Sequence, residues 1–207
     1  MPRTVTEEDL ELLSTPDEEI IKKAEKWSFA CDKFRADIKV GERWQQVVLS
    51  QIYLEHIVAH ILHEAIPFPD EISFSRMPFG PRLDLARALD LLPSDIVLAI
   101  RRITKMRNHV AHNLSFEIKD SQVRDLGNCT PQHLRQAINE NKDRPAGAYQ
   151  LFELLEAIVL MSDIYRQRKM ASRLVTKKSE IRLRTVLDKT PGARYVSYSP
   201  MFGQFPA

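Results

Sequence analysis

Long hydrophobic runs are missing from this chain. No stretch of its 207 residues approaches the ~18 consecutive apolar side chains that a membrane-spanning helix needs. The opening MPRTVTEEDLELL is acidic and lacks the apolar heart of a secretory signal, so a cytoplasmic protein with no membrane partner is expected. Cysteine is scarce. Cys31 and Cys129 lie far apart and form no metal-spaced pair, which fits a reducing compartment and leaves a single disulfide as the other possibility. Charge of one sign is also missing: 30 basic side chains against 28 acidic ones give +2. No overall field attracts nucleic acid, and any site for a polyanion must be local. There is no internal repeat and little that reads as strand.

What remains is the composition of an ordinary globular protein, 43% hydrophobic and 28% charged. It is long enough for one domain with appendages. Residues 1–15 read as an N-terminal arm with a short helical turn over 7–13. Thr15-Pro16-Asp17-Glu18 resembles a capped helix start, opening a helix through Ile20, Ala24, Trp27 and Phe34 that Gly41 ends. The spacing of Val47, Val48, Leu54, Ile57, Ile61 and Leu62 predicts a largely buried helix over 42–65. Pro67, Pro69, Pro78 and Pro81 then interrupt helix formation, with a short strand or extended loop at 71–75. Helices follow at 83–91 and from Pro93-Ser94-Asp95 onward. Residues 114–129 look irregular, and helix resumes from Thr130-Pro131 to about Asn141. A long helix begins at Tyr149. From Arg166 to Arg184 it becomes strongly basic, which describes either a solvated face or a track for a phosphate backbone. Residues 186–207 lack periodicity and read as a flexible tail or a strap for a partner, with Tyr195, Tyr198, Phe202 and Phe205 available for stacking. The expected fold is all-α: an up-and-down bundle of four to five main helices over 16–185.

The stretch at 100–113, IRRITKMRNHVAHN, concentrates the residue types that cleave RNA without metal. Such cleavage needs a base for the 2′-hydroxyl, an acid for the leaving oxygen and a cation for the phosphoryl oxygens. Histidine serves as base or acid because it titrates near neutrality. Arginine suits the phosphate because its planar fork donates paired hydrogen bonds and stays charged. His112 and Arg107 supply both, and Asn108, one turn before His112, can orient either partner. On a regular helix, positions five apart diverge by roughly 140°. Convergence therefore requires a helix end or distortion near Ala111, or a site shared by two copies about a two-fold axis.

The segments Phe74-Ser75, Arg82-Leu83-Asp84-Leu85-Ala86-Arg87-Ala88-Leu89 and Ile103-Thr104-Lys105-Met106-Arg107-Asn108-His109-Val110-Ala111-His112-Asn113 resemble the HEPN superfamily, most closely its mannitol operon repressor-like branch. The resemblance covers roughly residues 42–165 and implies a bundle that dimerises with arginine and histidine facing a shared cleft. Many HEPN members are ribonucleases of toxin or defence systems, and others are regulators or RNA-binding scaffolds without catalysis. The resemblance carries the catalytic roles to Arg107, Asn108 and His112. Arg101, Arg102, Lys105 and His109 extend the expected RNA-binding surface. The implied product ends in a 2′,3′-cyclic phosphate, no metal or cofactor is expected, and an antitoxin or regulatory protein is a possible partner. The competing reading is a non-catalytic regulator. A DNA-binding repressor lacks support, since no helix-turn-helix pair is legible.

A second cluster is His56, His60 and His63, followed by Glu64. Their spacing places three imidazoles along one helical stripe. Zinc binding through His56 and His60 would need a third ligand, whereas a polar seam in the bundle or dimer interface needs none.

Overall fold

The computed structural model describes residues 6–112, 117–140 and 148–188; of Ser75, His112, Leu187 and Asp188 it gives the backbone alone. Among the described residues the chain is all-helical, with nine α-helices, two short 3-10 turns and no strand. The helices are α1 (Glu7–Ser14), α2 (Asp17–Ala24), α3 (Cys31–Asp37), α4 (Arg43–Ala65), α5 (Phe79–Ala88), α6 (Ser94–His112), α7 (Asp120–Cys129), α8 (Gln132–Asn139) and α9 (Leu151–Asp188). None is long and apolar enough to cross a membrane. The chain divides into two units, residues 23–171 and residues 1–22 with 172–207.

The larger unit is built on α4. Eleven residues from Trp44 to Leu54 carry no charge, and the helix buries Val47, Leu54, Ile57, Val58, Ile61 and Leu62. It packs against α5 and α6, and α6 packs against α7. Ile96, Ile100, Ile103 and Met106 of α6 and Leu154, Leu155, Ile158 and Val159 of α9 complete the same core. Gly41 makes the turn into α4 possible. Its φ of 107° suits glycine, and a Cβ there would stand 2.7 Å from Gln45 Oε1. That side chain instead accepts the Glu42 amide at 2.7 Å and caps the helix.

The elements differ from the sequence expectation in four places. The helix expected from Pro16 to Gly41 is broken between α2 and α3. In the break, the amide and hydroxyl of Ser28 donate to Asp163 at 3.2 and 2.7 Å, and the Ser28 carbonyl meets His56 Nε2 at 2.8 Å. Side chains of other helices thus take the backbone groups that a continuous helix would use. Thr15 does not open α2; its hydroxyl donates back to the Glu11 carbonyl at 2.8 Å and closes α1. No strand forms at 71–75, where two 3-10 turns stand, and α5 starts at Phe79 because Pro81 falls in its first turn, where no amide partner is needed. Residues 120–129 are helical, held to the core by Val123 and Leu126.

The smaller unit is held by charge. Thr6 and Asp9 form a reciprocal cap on α1 at 3.2 and 3.3 Å. Lys177 pairs with Asp9 at 3.0 Å, and Lys178, buried, ties its ammonium to Asp17 and the Thr15 carbonyl. The two lysines hold both carboxyls below the usual range. The tail aromatics from Tyr195 to Phe205 lie outside the described residues.

Candidate active site

Helix α6 follows the core through Ile96, Ile100, Ile103 and Met106, and Val110 still packs against it. Its last turns present Arg107, Asn108 and His109 at the surface. Thr104 marks the edge: its hydroxyl lies 3.0 Å from Gln51 Oε1 on α4 and 3.0 Å from the Ile100 carbonyl. Gln51 in turn donates to Glu55 at 2.9 Å. At the head of α4, Arg43 donates to the Ile118 carbonyl at 2.9 Å and pairs with Asp120 at 2.7 Å. Thr104 meeting Gln51 and Ile118 meeting Arg43 make α6 antiparallel to α4. The end of α6 therefore lies beside the first turns of α4.

Arg107 Nη1 donates to Asn108 Oδ1 at 3.4 Å, and among the described residues Arg107 forms no ion pair. Its guanidinium retains the donors a phosphate would take. The flanking arginines are committed differently. Arg101 is paired with Asp84 and the half-buried Arg102 with Asp125, while Lys105 is exposed. The expected RNA-binding face is therefore partly neutralised by carboxylates from α5 and α7. The backbone stays helical through Ala111 to His112, so no kink turns positions 107 and 112 toward each other and they remain about 140° apart. The His112 side chain lies outside the described residues. Positions 108 and 112 are one turn apart on a common face, whereas Arg107 is exposed between the buried Met106 and the half-buried Val110.

No family model matches this chain, and no curated protein or solved structure matches it.

The histidine stripe on α4 joins a second polar cluster, made by three segments. His56 and His60 stand with ring centroids 4.3 Å apart. Because the Ser28 carbonyl only accepts, the bond to it places a proton on His56 Nε2. Beneath the stripe lies Asp163 of α9, fully buried. It accepts from Ser28, from Arg166 Nε at 2.7 Å and from Gln167 at 3.2 Å. Arg166 also reaches Glu64 at 2.9 Å and the Lys26 carbonyl. Burial, then the neighbouring His56 and Arg166, pushes the His60 pKa down, and burial raises that of Glu64 against the pull of Arg166. His63 sits apart at the exposed edge, 3.8 Å from Asp70. The described residues gather no group of three or more ligands suited to a metal ion.

Sequence reasoning placed Arg166 in a basic surface run, yet its side chain is only 5% exposed. It missed Asp163, Glu64 and the Lys26 carbonyl as its partners. The signal was present: an aspartate inside LFELLEAIVLMSDIYRQ needs a cation within reach, and Arg166 follows at the helical spacing of three.

Proposed function

We propose that the larger unit is a metal-independent endoribonuclease of HEPN type, active as a homodimer and belonging to a toxin or defence system. The observation that carries this reading is the state of Arg107. It stands exposed on the last turns of α6 and, among the described residues, is bonded to the adjacent Asn108 and to no carboxylate, while Arg101 and Arg102 before it are held by carboxylates. An arginine kept for structure is normally paired or stacked; this one is exposed and, among the described residues, meets no carboxylate, as suits a group that takes an external anion. In the proposed reaction Arg107 stabilises the charge developing on the phosphoryl oxygens. Asn108 orients the scissile phosphate or the imidazole. His112 takes the 2′-hydroxyl proton, and its counterpart on the second copy protonates the leaving 5′-oxygen. The 2′-oxygen attacks phosphorus as the P–O5′ bond breaks, leaving a 2′,3′-cyclic phosphate.

The neutralised flank supports a second reading. With Arg101 and Arg102 engaged by Asp125 and Asp84 between them, the surface around the motif has little excess positive charge, as suits a non-catalytic regulator or a scaffold that docks RNA or protein weakly. Labelled single-stranded RNA incubated with the protein and EDTA separates the two. Cleavage to cyclic-phosphate ends that disappears in His112→Ala supports the enzyme. Equal inertness of wild type and variant, with binding retained, supports the regulator.

A further inference from the structure

The outward face of α8 carries a polar cleft whose hydrogen-bonding groups the chain itself leaves unsatisfied. Leu134 and Ile138 turn toward the core, so Gln132, Arg135, Gln136 and Asn139, at helical spacings of three and four, share the opposite face. With Glu140 and Tyr149 they line an open cleft of about 670 Å³. Tyr149 is seated on Gly127, where a Cβ would stand 2.9 Å from its ring, and its hydroxyl accepts from Asn139 Nδ2 at 3.4 Å. Among the described residues, Asp9, Arg82, Arg102, Arg135 and Asn139 each bury a side-chain polar atom that finds no hydrogen-bond partner. The first three belong to ion pairs. Arg135 and Asn139 do not, and they stand one turn apart in this cleft. A buried donor or acceptor without a partner is costly, and such groups are rare unless a ligand or water completes them.

We infer that this cleft binds a small zwitterion of the α-amino-acid class, its carboxylate on Arg135 and its ammonium on Asn139 Oδ1 and Glu140. Three observations select that chemistry. The first concerns the anion. Arg135 is half-buried with its Nε shut off from water, and among the described residues it forms no ion pair. Its planar fork presents the paired N–H groups that grip a carboxylate. The second concerns the opposite end. Asn139 spends its amide nitrogen on Tyr149 and leaves Oδ1 without a donor, and the exposed carboxylate of Glu140 follows it along the chain. Both groups accept, so that end takes a cationic donor. A phosphate or a nucleotide would answer Arg135 and bring nothing for Glu140. The third is the spacing. Residues four apart on a helix rise about 6 Å, so the anion and the donor of the ligand must be separated by few bonds, as they are across a single α-carbon. Gln132 and Gln136, exposed on the same face, remain for the ligand's side chain. Arg107, Asn108 and His112 do not line this cleft, and the inference does not rest on the proposed function.

Nitrogen–proton correlation spectra of the full chain, titrated with each of the common L-α-amino acids in turn, test the site. At least one is expected to shift the Arg135 Nε–H and Asn139 side-chain amide resonances to saturation. For that amino acid, removing the carboxylate (the parent amine) or acetylating the ammonium is expected to weaken binding about tenfold or more, since each change deletes a charge-assisted hydrogen bond. Arg135→Gln is expected to weaken it by a similar factor, and Glu140→Gln to weaken it with the helical circular-dichroism spectrum unchanged. The two altered ligands decide alone if Arg135→Gln fails to fold. The inference is overturned if no amino acid shifts these resonances, or if the amine or the N-acetyl derivative binds as well as its parent. It is also overturned if inorganic phosphate or a nucleoside 5′-monophosphate saturates the site and the amino acids do not. RNA cleavage by a chain that binds no amino acid would leave the proposed function standing and remove this site. Amino-acid binding by a chain that cleaves no RNA would do the reverse.

Discussion

A carboxylate taken out of water costs several kcal/mol unless its oxygens are fully used. Asp163 uses both, on Ser28, Arg166 and Gln167. Replacing it with alanine takes the nearer carboxylate from Arg166 in a site of 5% exposure, leaving it Glu64 and the Lys26 carbonyl, and leaves Ser28 and Gln167 without their acceptor. Asp163→Ala is therefore expected to lose about 3–5 kcal/mol in denaturant unfolding, whereas Arg107→Ala, at an exposed position, is expected to stay within about 0.5 kcal/mol of wild type. An equal loss in both would show that Arg107 is structural. His60 gives a pH-dependent counterpart. Its pKa is lowered in the folded chain by burial and by His56, Arg166 and His63, against the pull of Asp163. The unfolded chain therefore binds the proton more readily. Stability is full above the ordinary histidine value of about 6.5 and declines as pH falls through it toward the lower folded value. Glu64, raised by burial, acts in the opposite sense at lower pH. The melting temperature is expected to fall between about pH 7 and pH 5, and to fall less in His60→Gln. Identical profiles would remove His60 as the cause.

Among the elements, α7 is the one that composition concealed. Its glycine and polar residues lack an apolar stripe, and only Val123 and Leu126 anchor it, yet Gly127 is buried there. A Cβ at Gly127 would meet Tyr149 Cδ2 at 2.9 Å. Gly127→Ala is thus expected to destabilise by about 1–3 kcal/mol through overpacking, although alanine is the better helix former by about 1 kcal/mol. A stabilised variant would mean that the Tyr149 ring yields freely. The same element shows what is legible in a sequence. Long helices with a persistent apolar period, α4, α6 and α9, could be read closely because their burial repeats over many turns. The break between α2 and α3 could not, because it depends on Asp163 and His56, side chains distant in sequence that claim the backbone of Ser28. The candidate site was legible as residue types on one helix. The pairing of Arg101 and Arg102, which changes the charge around it, was not, since Asp84 and Asp125 come from α5 and α7. Val48 is a related case: it counts toward the apolar period of α4, and only the structure shows that it lies off the core, on the side of the exposed Trp44 and Ile52.

For the molecule as a whole, near-neutral charge comes from almost equal numbers of basic and acidic side chains, 30 and 28, and many of them stand in opposite-sign pairs. Lys177 and Lys178 are held by Asp9 and Asp17 in the smaller unit, and Lys169 by Asp90 in the larger. A surface so balanced gives little long-range attraction for RNA, so recognition would rest on a small site assembled by pairing two copies. Specific activity on single-stranded RNA in the presence of EDTA, followed as the protein is diluted through its dimer dissociation constant, tests this most directly. Activity per chain that falls in step with the dimer fraction is the predicted result. Activity independent of concentration, or none at any concentration, would contradict the account.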